Sequence, residues 1–133
     1  MGETKRVLVV DDEDRILFVL HRALARLGAE CQVETAANGK QAIEKARRAP
    51  FDLVLTDLRM PEMDGIALTE ALRKLDPDPT VIWMTAYYCC AETSEMARLG
   101  VDCCLDKPIE IREIRRIVSE ALWPEKGKTN VQL

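Results

Sequence analysis

The 133-residue chain has no apolar run near the roughly 18–20 residues that cross a bilayer, so its sequence offers no membrane-spanning helix. No secretory leader is expected at its start either. Met1-Gly2-Glu3-Thr4-Lys5-Arg6 passes into a short apolar run and then straight into acids, which is not the pattern of a secretory signal peptide. A cytoplasmic location is therefore expected. Excess positive charge is missing too. The net charge is −4, which argues against nucleic-acid binding by this chain taken alone. Histidine is nearly absent: His21 stands alone in a helical stretch with no partner histidine or acid motif, and it reads as a surface residue. There is no internal repeat and no low-complexity segment. The five cysteines are an odd number in a chain without an export signal, so structural disulfides are not expected. What remains is the composition of an ordinary soluble domain, 47% hydrophobic and 32% charged.

Short apolar runs alternate with amphipathic stretches. Val7-Leu8-Val9-Val10 is β-branched and apolar on both faces, the mark of a buried parallel strand. Residues 14–27 carry Ile16, Leu17, Leu20, Leu24 and Leu27 at helical spacing, and Gly28 stops that helix. Cys31 to Ala36 predicts a second strand. Asn38-Gly39 predicts a turn before a helix over 40–48, with Ala42, Ile43 and Ala46 inward and Pro50 ending it. A third strand is expected over 51–56, a helix over 65–75 and a strand from Thr80 to Thr85, entered from the turn-forming Asp76-Pro77-Asp78-Pro79. A helix over 91–99, a strand over 101–105 and a helix over 109–122 follow. The last helix directs Ile111, Ile114, Ile117, Val118 and Leu122 inward, and Trp83 and Met84 read as core. Five strands alternating with five helices predict a parallel sheet with helices on both faces. One domain over residues 1–122 is expected, with 123–133 a polar tail or the start of a linker.

The chemistry-bearing residues collect where such sheets hold their sites, beyond the carboxyl ends of the strands. The first strand runs into Asp11-Asp12-Glu13, the third ends in Asp57, the fourth ends in Thr85, and Lys107-Pro108 follows the fifth. Taken singly, Asp11 or Asp12 suits a helix N-cap and Lys107 a surface lysine; together they converge on one end of the sheet. Clustered carboxylates repel one another, and a divalent cation removes the conflict. Mg²⁺ accepts one or two carboxylates together with phosphate oxygens, with Mn²⁺ an alternative. The set therefore suits phosphoryl transfer to a carboxylate nucleophile, with the metal and the lysine offsetting charge on the phosphoryl oxygens.

The segments Val7-Leu-Val-Val-Asp-Asp-Glu13, Asp57-Leu-Arg-Met-Pro-Glu-Met-Asp-Gly65, Met84-Thr-Ala86 and Asp106-Lys-Pro108 resemble the receiver (REC) domains of two-component response regulators. The resemblance covers residues 5 to about 122, and four separated motifs agree in order and spacing. It implies a flavodoxin-like (CheY-like) α/β fold with strand order 2-1-3-4-5. It implies that Asp57 accepts the phosphoryl group from a sensor histidine kinase or a phosphotransfer protein. Asp11, Asp12, Asp57 and the backbone carbonyl of Arg59 would hold Mg²⁺, with Asp11 acting largely through water. Lys107 would pair first with Asp57 and then with the phosphoryl oxygens, and Thr85 would turn its hydroxyl onto one of them. The Lys107–Pro108 peptide would be cis. Such a domain has Mg²⁺-dependent self-phosphorylation and self-dephosphorylation without being a turnover enzyme. Its output would run through an effector domain or a homodimer, on the face made by the fourth helix, fifth strand and fifth helix.

Three positions depart from the family pattern. Cys104 stands where the family has a Tyr or Phe, three residues before the lysine, so the aromatic half of the switch is missing there; Tyr87 or Tyr88 is the alternative source of a ring. Arg59 and Tyr87 are bulky at the two positions flanking the attacking water, which predicts slow phosphoaspartate hydrolysis. Cys89-Cys90 and Cys103-Cys104 are not family features. Adjacent cysteines are poorly spaced to chelate one Zn²⁺, and strand neighbours point to opposite faces, so packing is the expected role. The charges of the fifth helix, from Glu110 to Glu120, read as a solvated face. Two other functions compete. A phosphorylation-insensitive interaction module is favoured by Cys104. A small-molecule phosphatase would need an acid two residues after the nucleophile, where Arg59 stands instead.

Overall fold

Alternation within β1 (Lys5–Val10) organises the molecule. Side chains on a strand point to opposite faces in turn, so Val7 and Val9 enter one apolar cluster while Leu8 and Val10 enter another. In the computed structural model, which describes residues 4–86 and 93–124, both clusters are closed over by helices. The remaining elements are α1 (Asp14–Ala25), β2 (Cys31–Ala36), α2 (Gly39–Arg48), β3 (Leu53–Asp57), α3 (Gly65–Leu75), β4 (Thr80–Thr85), α4 (Thr93–Leu99), β5 (Cys103–Asp106) and α5 (Ile111–Leu122). All strand pairs are parallel and the order is β2-β1-β3-β4-β5. The fold is therefore the flavodoxin-like one implied by the motifs.

Leu17, Leu20 and Leu24 of α1 pack with Ile114, Val118 and Leu122 of α5 on one face. Ala42 of α2, Leu68 and Leu72 of α3 and Leu99 of α4 cover the other. A strand buried on both faces needs apolar residues at every position, which is why β1 and β3 read as continuous runs. Trp83 and Met84 are core, as expected. The indole N–H of Trp83 donates 2.9 Å to the Thr69 hydroxyl, which donates 2.7 Å to the Gly65 carbonyl. That chain ties the centre of β4 to the first turn of α3.

Local chemistry accounts for most boundaries. Asn38 is the N-cap of α2, accepting from the Gln41 amide, so Gly39 is the helix's first residue and not half of a turn. Asp64 caps α3 through the Ala67 amide in the same way. Gly28, at φ +133°, ends the turn after α1, whose helical part stops at Ala25, short of the expected 27. Strand β3 begins at Leu53 instead of 51, and β5 spans Cys103–Asp106 where 101–105 was expected. Helix α5 starts at Ile111, after the cis Lys107–Pro108 peptide. Ile111 corrects the expected inward face: at the first turn of α5 it lies beside α1 and is exposed. The start expected for the fourth helix, residues 91–92, lies outside the described residues.

At the end of the sheet away from the acids, one side chain gathers two connections. The Arg73 guanidinium, on α3, donates to the carbonyls of Pro77 and Pro79 before β4 and of Leu99 and Gly100 after α4, at 2.7–2.9 Å.

Thr69→Val is expected to destabilise the fold by about 1–3 kcal/mol, because it leaves the buried Trp83 N–H without its acceptor. Urea unfolding followed by tryptophan fluorescence measures this. A loss below about 0.5 kcal/mol would mean that the indole N–H finds another acceptor.

Candidate functional site

Each acidic residue is placed by the strand that precedes it. Val10 pairs with Thr56 across β1 and β3, so Asp11 and Asp57, one residue further, emerge side by side. The Asp11 amide extends the sheet ladder to the Ala36 carbonyl at 3.2 Å. Both carboxylates are buried, Asp11 completely, while Asp12 is exposed to solvent. Thr85 ends β4 and is buried. Lys107 is held by its amide to the Thr85 carbonyl at 2.7 Å, which aims its ammonium back over the strand ends.

Asp11, Asp12, Asp57 and Lys107 therefore meet. Lys107 Nζ lies 2.9 Å from Asp11 Oδ2 and 3.2 Å from Asp57 Oδ2, with Glu13 at the edge of contact at 3.9 Å. The motif resemblance paired Lys107 with Asp57; the structure adds Asp11 as the shorter contact. The Glu13 amide donates 2.9 Å to Asp11 Oδ1, and the Arg59 amide reaches Asp57 Oδ1 at 3.3 Å. Burial pushes the Asp11 carboxyl above its ordinary range, and the neighbouring Asp57 charge adds to that, against the pull of the Glu13 amide and Lys107. Burial alone would lower the Lys107 ammonium, but the hydrogen bond and charge of Asp11, together with Asp57, raise it. Lys107 is thus a permanent cation in the site.

Asp11, Asp12 and Asp57 each offer an oxygen, and the three oxygens lie within 4.8 Å of one another. Three carboxylates against one ammonium leave an excess of two negative charges, the charge of one divalent cation. The donor set is all oxygen, two members are buried and oriented, and the exposed Asp12 leaves a path to solvent. These residues fit Mg²⁺ or Mn²⁺.

Gly65 sets the close approach of the loop after Asp57. A Cβ there would stand 2.4 Å from the Asp57 carbonyl oxygen and 2.9 Å from Leu58 Cα, both backbone atoms. The motif contained this glycine, but only the structure gives its reason.

Outside the acid cluster the cysteines need one correction. Cys31 and Cys103 are free, and burial raises both thiols. Cys104 is disulfide-bonded. The expectation of no disulfide rested on the odd cysteine count and on a start that does not read as a signal peptide, which speak of compartment and say nothing of which sulfurs the fold brings together. Cys89, Cys90, Tyr87 and Tyr88 lie outside the described residues. His21 is exposed, as expected. Among the described residues no helix is long and apolar enough to cross a membrane.

An open parallel sheet with a carboxylate cluster and a lysine beyond its strand ends defines a doubly wound α/β domain with residues that fit a divalent metal. The family model for the response regulator receiver domain matches residues 7–119, and the chain belongs to that family. It is 39% identical over 121 residues to the transcriptional regulatory protein ZraR of Klebsiella oxytoca, and 36% identical over 132 residues to the regulatory protein AtoC of Escherichia coli (strain K12). Those matches cover 91% and 99% of this chain but 27% and 28% of the relatives, so the chain spans about a quarter of their length. Among solved structures, a CheY-like response regulator receiver domain protein from Methanospirillum hungatei aligns with a TM-score of 0.85 at 29% identity, covering 95% of this chain and 99% of that one. The response regulator protein TrrA from Thermotoga maritima, in complex with Mg(2+)-BeF, aligns at 0.75 and 32% identity, covering 88% and 98%.

Gly65→Ala is expected to cost about 1–3 kcal/mol by forcing backbone atoms apart and to weaken Mg²⁺ binding by displacing Asp57. Unfolding and Mg²⁺ titrations of the purified variant check both effects. Unchanged stability and affinity would mean that the loop yields without disturbing the site.

Proposed function

We propose that Asp57 is the phosphoacceptor of a signalling switch, taking its phosphoryl group from the phosphohistidine of a sensor histidine kinase or a phosphotransfer protein. The observation that carries this reading is the shared ammonium of Lys107 between the buried carboxylates of Asp11 and Asp57. A carboxylate oxygen of Asp57 attacks phosphorus as the phosphorus–nitrogen bond to the donor histidine breaks, and the imidazole departs with the bonding electron pair. Asp11, Asp12, Asp57 and the Arg59 carbonyl would hold Mg²⁺, Asp11 largely through water, and when bound the metal would offset charge on the phosphoryl oxygens. Lys107 passes from Asp57 to a phosphoryl oxygen, and the Thr85 hydroxyl donates to another. A small-molecule acyl phosphate serves the same groups as donor, and water attacking phosphorus breaks the bond to Asp57 and releases inorganic phosphate, so the domain phosphorylates and dephosphorylates itself without being a turnover enzyme.

Each of the two states is favoured by a different set of contacts at Thr85 and Lys107. Phosphorylation therefore biases an equilibrium, read on the face of α4, β5 and α5 by an effector domain or a second copy. A second reading, a receiver-fold module insensitive to phosphorylation, is favoured by Cys104, which replaces the ring that moves with the threonine.

Incubation with acetyl phosphate and Mg²⁺ is expected to add one phosphate to the intact mass. The adduct should be absent after chelation and in Asp57→Asn. An equal adduct in Asp57→Asn would place the phosphate elsewhere. The phosphoaspartate should persist for minutes or longer, because exposed Arg59 flanks the water path. Arg59→Ala is expected to shorten its half-life severalfold, as followed by mass over time, and an unchanged half-life would remove Arg59 from that role.

A further inference from the structure

Four hydrogen bonds form a closed circuit around the residue that follows the nucleophile. The Leu58 amide donates to the Met84 carbonyl at 2.9 Å, and the Gly65 amide donates to the Leu58 carbonyl at 2.9 Å. The Gly65 carbonyl accepts from the Thr69 hydroxyl at 2.7 Å, and that hydroxyl accepts from the Trp83 indole N–H at 2.9 Å. Trp83 precedes Met84 in β4, so the circuit closes through the chain itself. Both polar groups of the Leu58 backbone lie inside it.

The circuit is out of water. Trp83 and Thr69 are completely buried, and Leu58 and Gly65 are buried with them. A hydroxyl has one proton to donate and lone pairs to accept with. Here the proton goes to Gly65 and a lone pair meets the indole N–H. A buried network whose members are all satisfied holds them in one arrangement. Apolar side chains could fill this part of the core. What the hydroxyl and the indole N–H add is direction.

Direction matters because of what the circuit encloses. Asp57 precedes Leu58 and pairs with Met84 at the end of β3. Its carbonyl oxygen lies so close to Gly65 that a Cβ there would stand 2.4 Å from it. The Arg59 amide, on the other side of Leu58 in the chain, reaches Asp57 Oδ1 at 3.3 Å. A turn of the Leu58 backbone would therefore move the nucleophile and the amide that orients it together. Trp83 sits two residues before Thr85 on β4, so the same strand carries the circuit and the hydroxyl at the sheet end.

We propose that Thr69 and Trp83 are positioning residues for phosphoryl transfer: by closing the circuit around Leu58 they hold the Asp57 carboxylate in the placement that attack on phosphorus requires. This rests on the phosphoacceptor reading of Asp57. Thr69 acts through Gly65 and Trp83 acts through Thr69, so the two work as one unit.

The test compares Thr69→Val, which removes the hydroxyl, with Thr69→Ser, which keeps it, and with Trp83→Phe, which removes the N–H. Urea unfolding of each variant sets a temperature at which all are folded. Should Thr69→Val fail to fold, Trp83→Phe carries the test. Formation of the Asp57 adduct with Mg²⁺ is then followed by intact mass across acetyl phosphate concentrations. Thr69→Val and Trp83→Phe should each lower the maximal rate about fivefold or more, and Thr69→Ser should stay within about twofold of wild type, well inside the cost of a misplacement of about 1 Å. The double variant Thr69→Val/Trp83→Phe should be no slower than the slower single variant, because one circuit opens only once. Amide exchange without metal is the second readout. Leu58 and Gly65 should exchange about tenfold faster in Thr69→Val relative to Leu8 of β1, a ratio that lost overall stability does not raise. Wild-type rates in folded Thr69→Val and Trp83→Phe would overturn the proposal, however much stability they lose. So would a Thr69→Ser as slow as Thr69→Val, additive losses in the double variant, or an unchanged exchange ratio. No adduct in the wild type would strike the phosphoacceptor reading and the proposal with it. A wild-type adduct that every variant matches in rate would strike the proposal alone.

Discussion

Two carboxylates that repel each other are held side by side, out of water, and the rest of the molecule is arranged around that. Parallel pairing of β1 and β3 puts Asp11 beside Asp57. The ammonium that answers them comes from the other side of the sheet, through the Lys107 amide anchored on the end of β4. Removing any one of these strands would leave buried charge without its partner, a larger penalty than the loss of the contact itself. The five-stranded order is thus a condition for the site as well as a way to close a core.

Once the ends of the strands are committed to charge, the two faces of the sheet are free to differ. On one, α1 and α5 bury leucines and isoleucines but leave Phe18, Val19 and Ile111 uncovered. On the other, α2, α3 and α4 close over β3 and β4, and the buried Trp83–Thr69 bond fixes α3 to the centre of the sheet. At the edge of the sheet, Cys104 occupies the position three residues before the lysine and is tied by its disulfide. A sulfur bonded there does not rotate as a ring would.

Much of this was legible in the residues. The strands β2 and β4 and the helix α3 begin and end where periodicity, caps and turn residues placed them. Asp11, Asp12, Asp57 and Lys107 meet because strand ends are the least ambiguous positions in an alternating α/β pattern. Strand order came only from motif resemblance, since local spacing carries no information on which strands pair. Ile111 misled because helical spacing marks a face without saying whether a neighbouring helix reaches far enough to cover its first turn. The short contact between Lys107 and Asp11 was invisible for a similar reason: it spans 96 positions and depends on the register of three strands. The bond at Cys104 had no signal in count or spacing.

The Arg73 fork at the far end of the sheet also has a mechanical meaning. By gripping the carbonyls of Leu99 and Gly100 together with those of Pro77 and Pro79, it makes the C-terminal end of α4 part of the same rigid block as α3 and the entrance to β4. A rod about 10 Å long, at 1.5 Å per residue for seven residues, that is clamped at one end cannot slide as a piston. It can only swing. Any tilt of α4 is therefore smallest at the end that Arg73 holds, at the opposite pole of the sheet from the carboxylates.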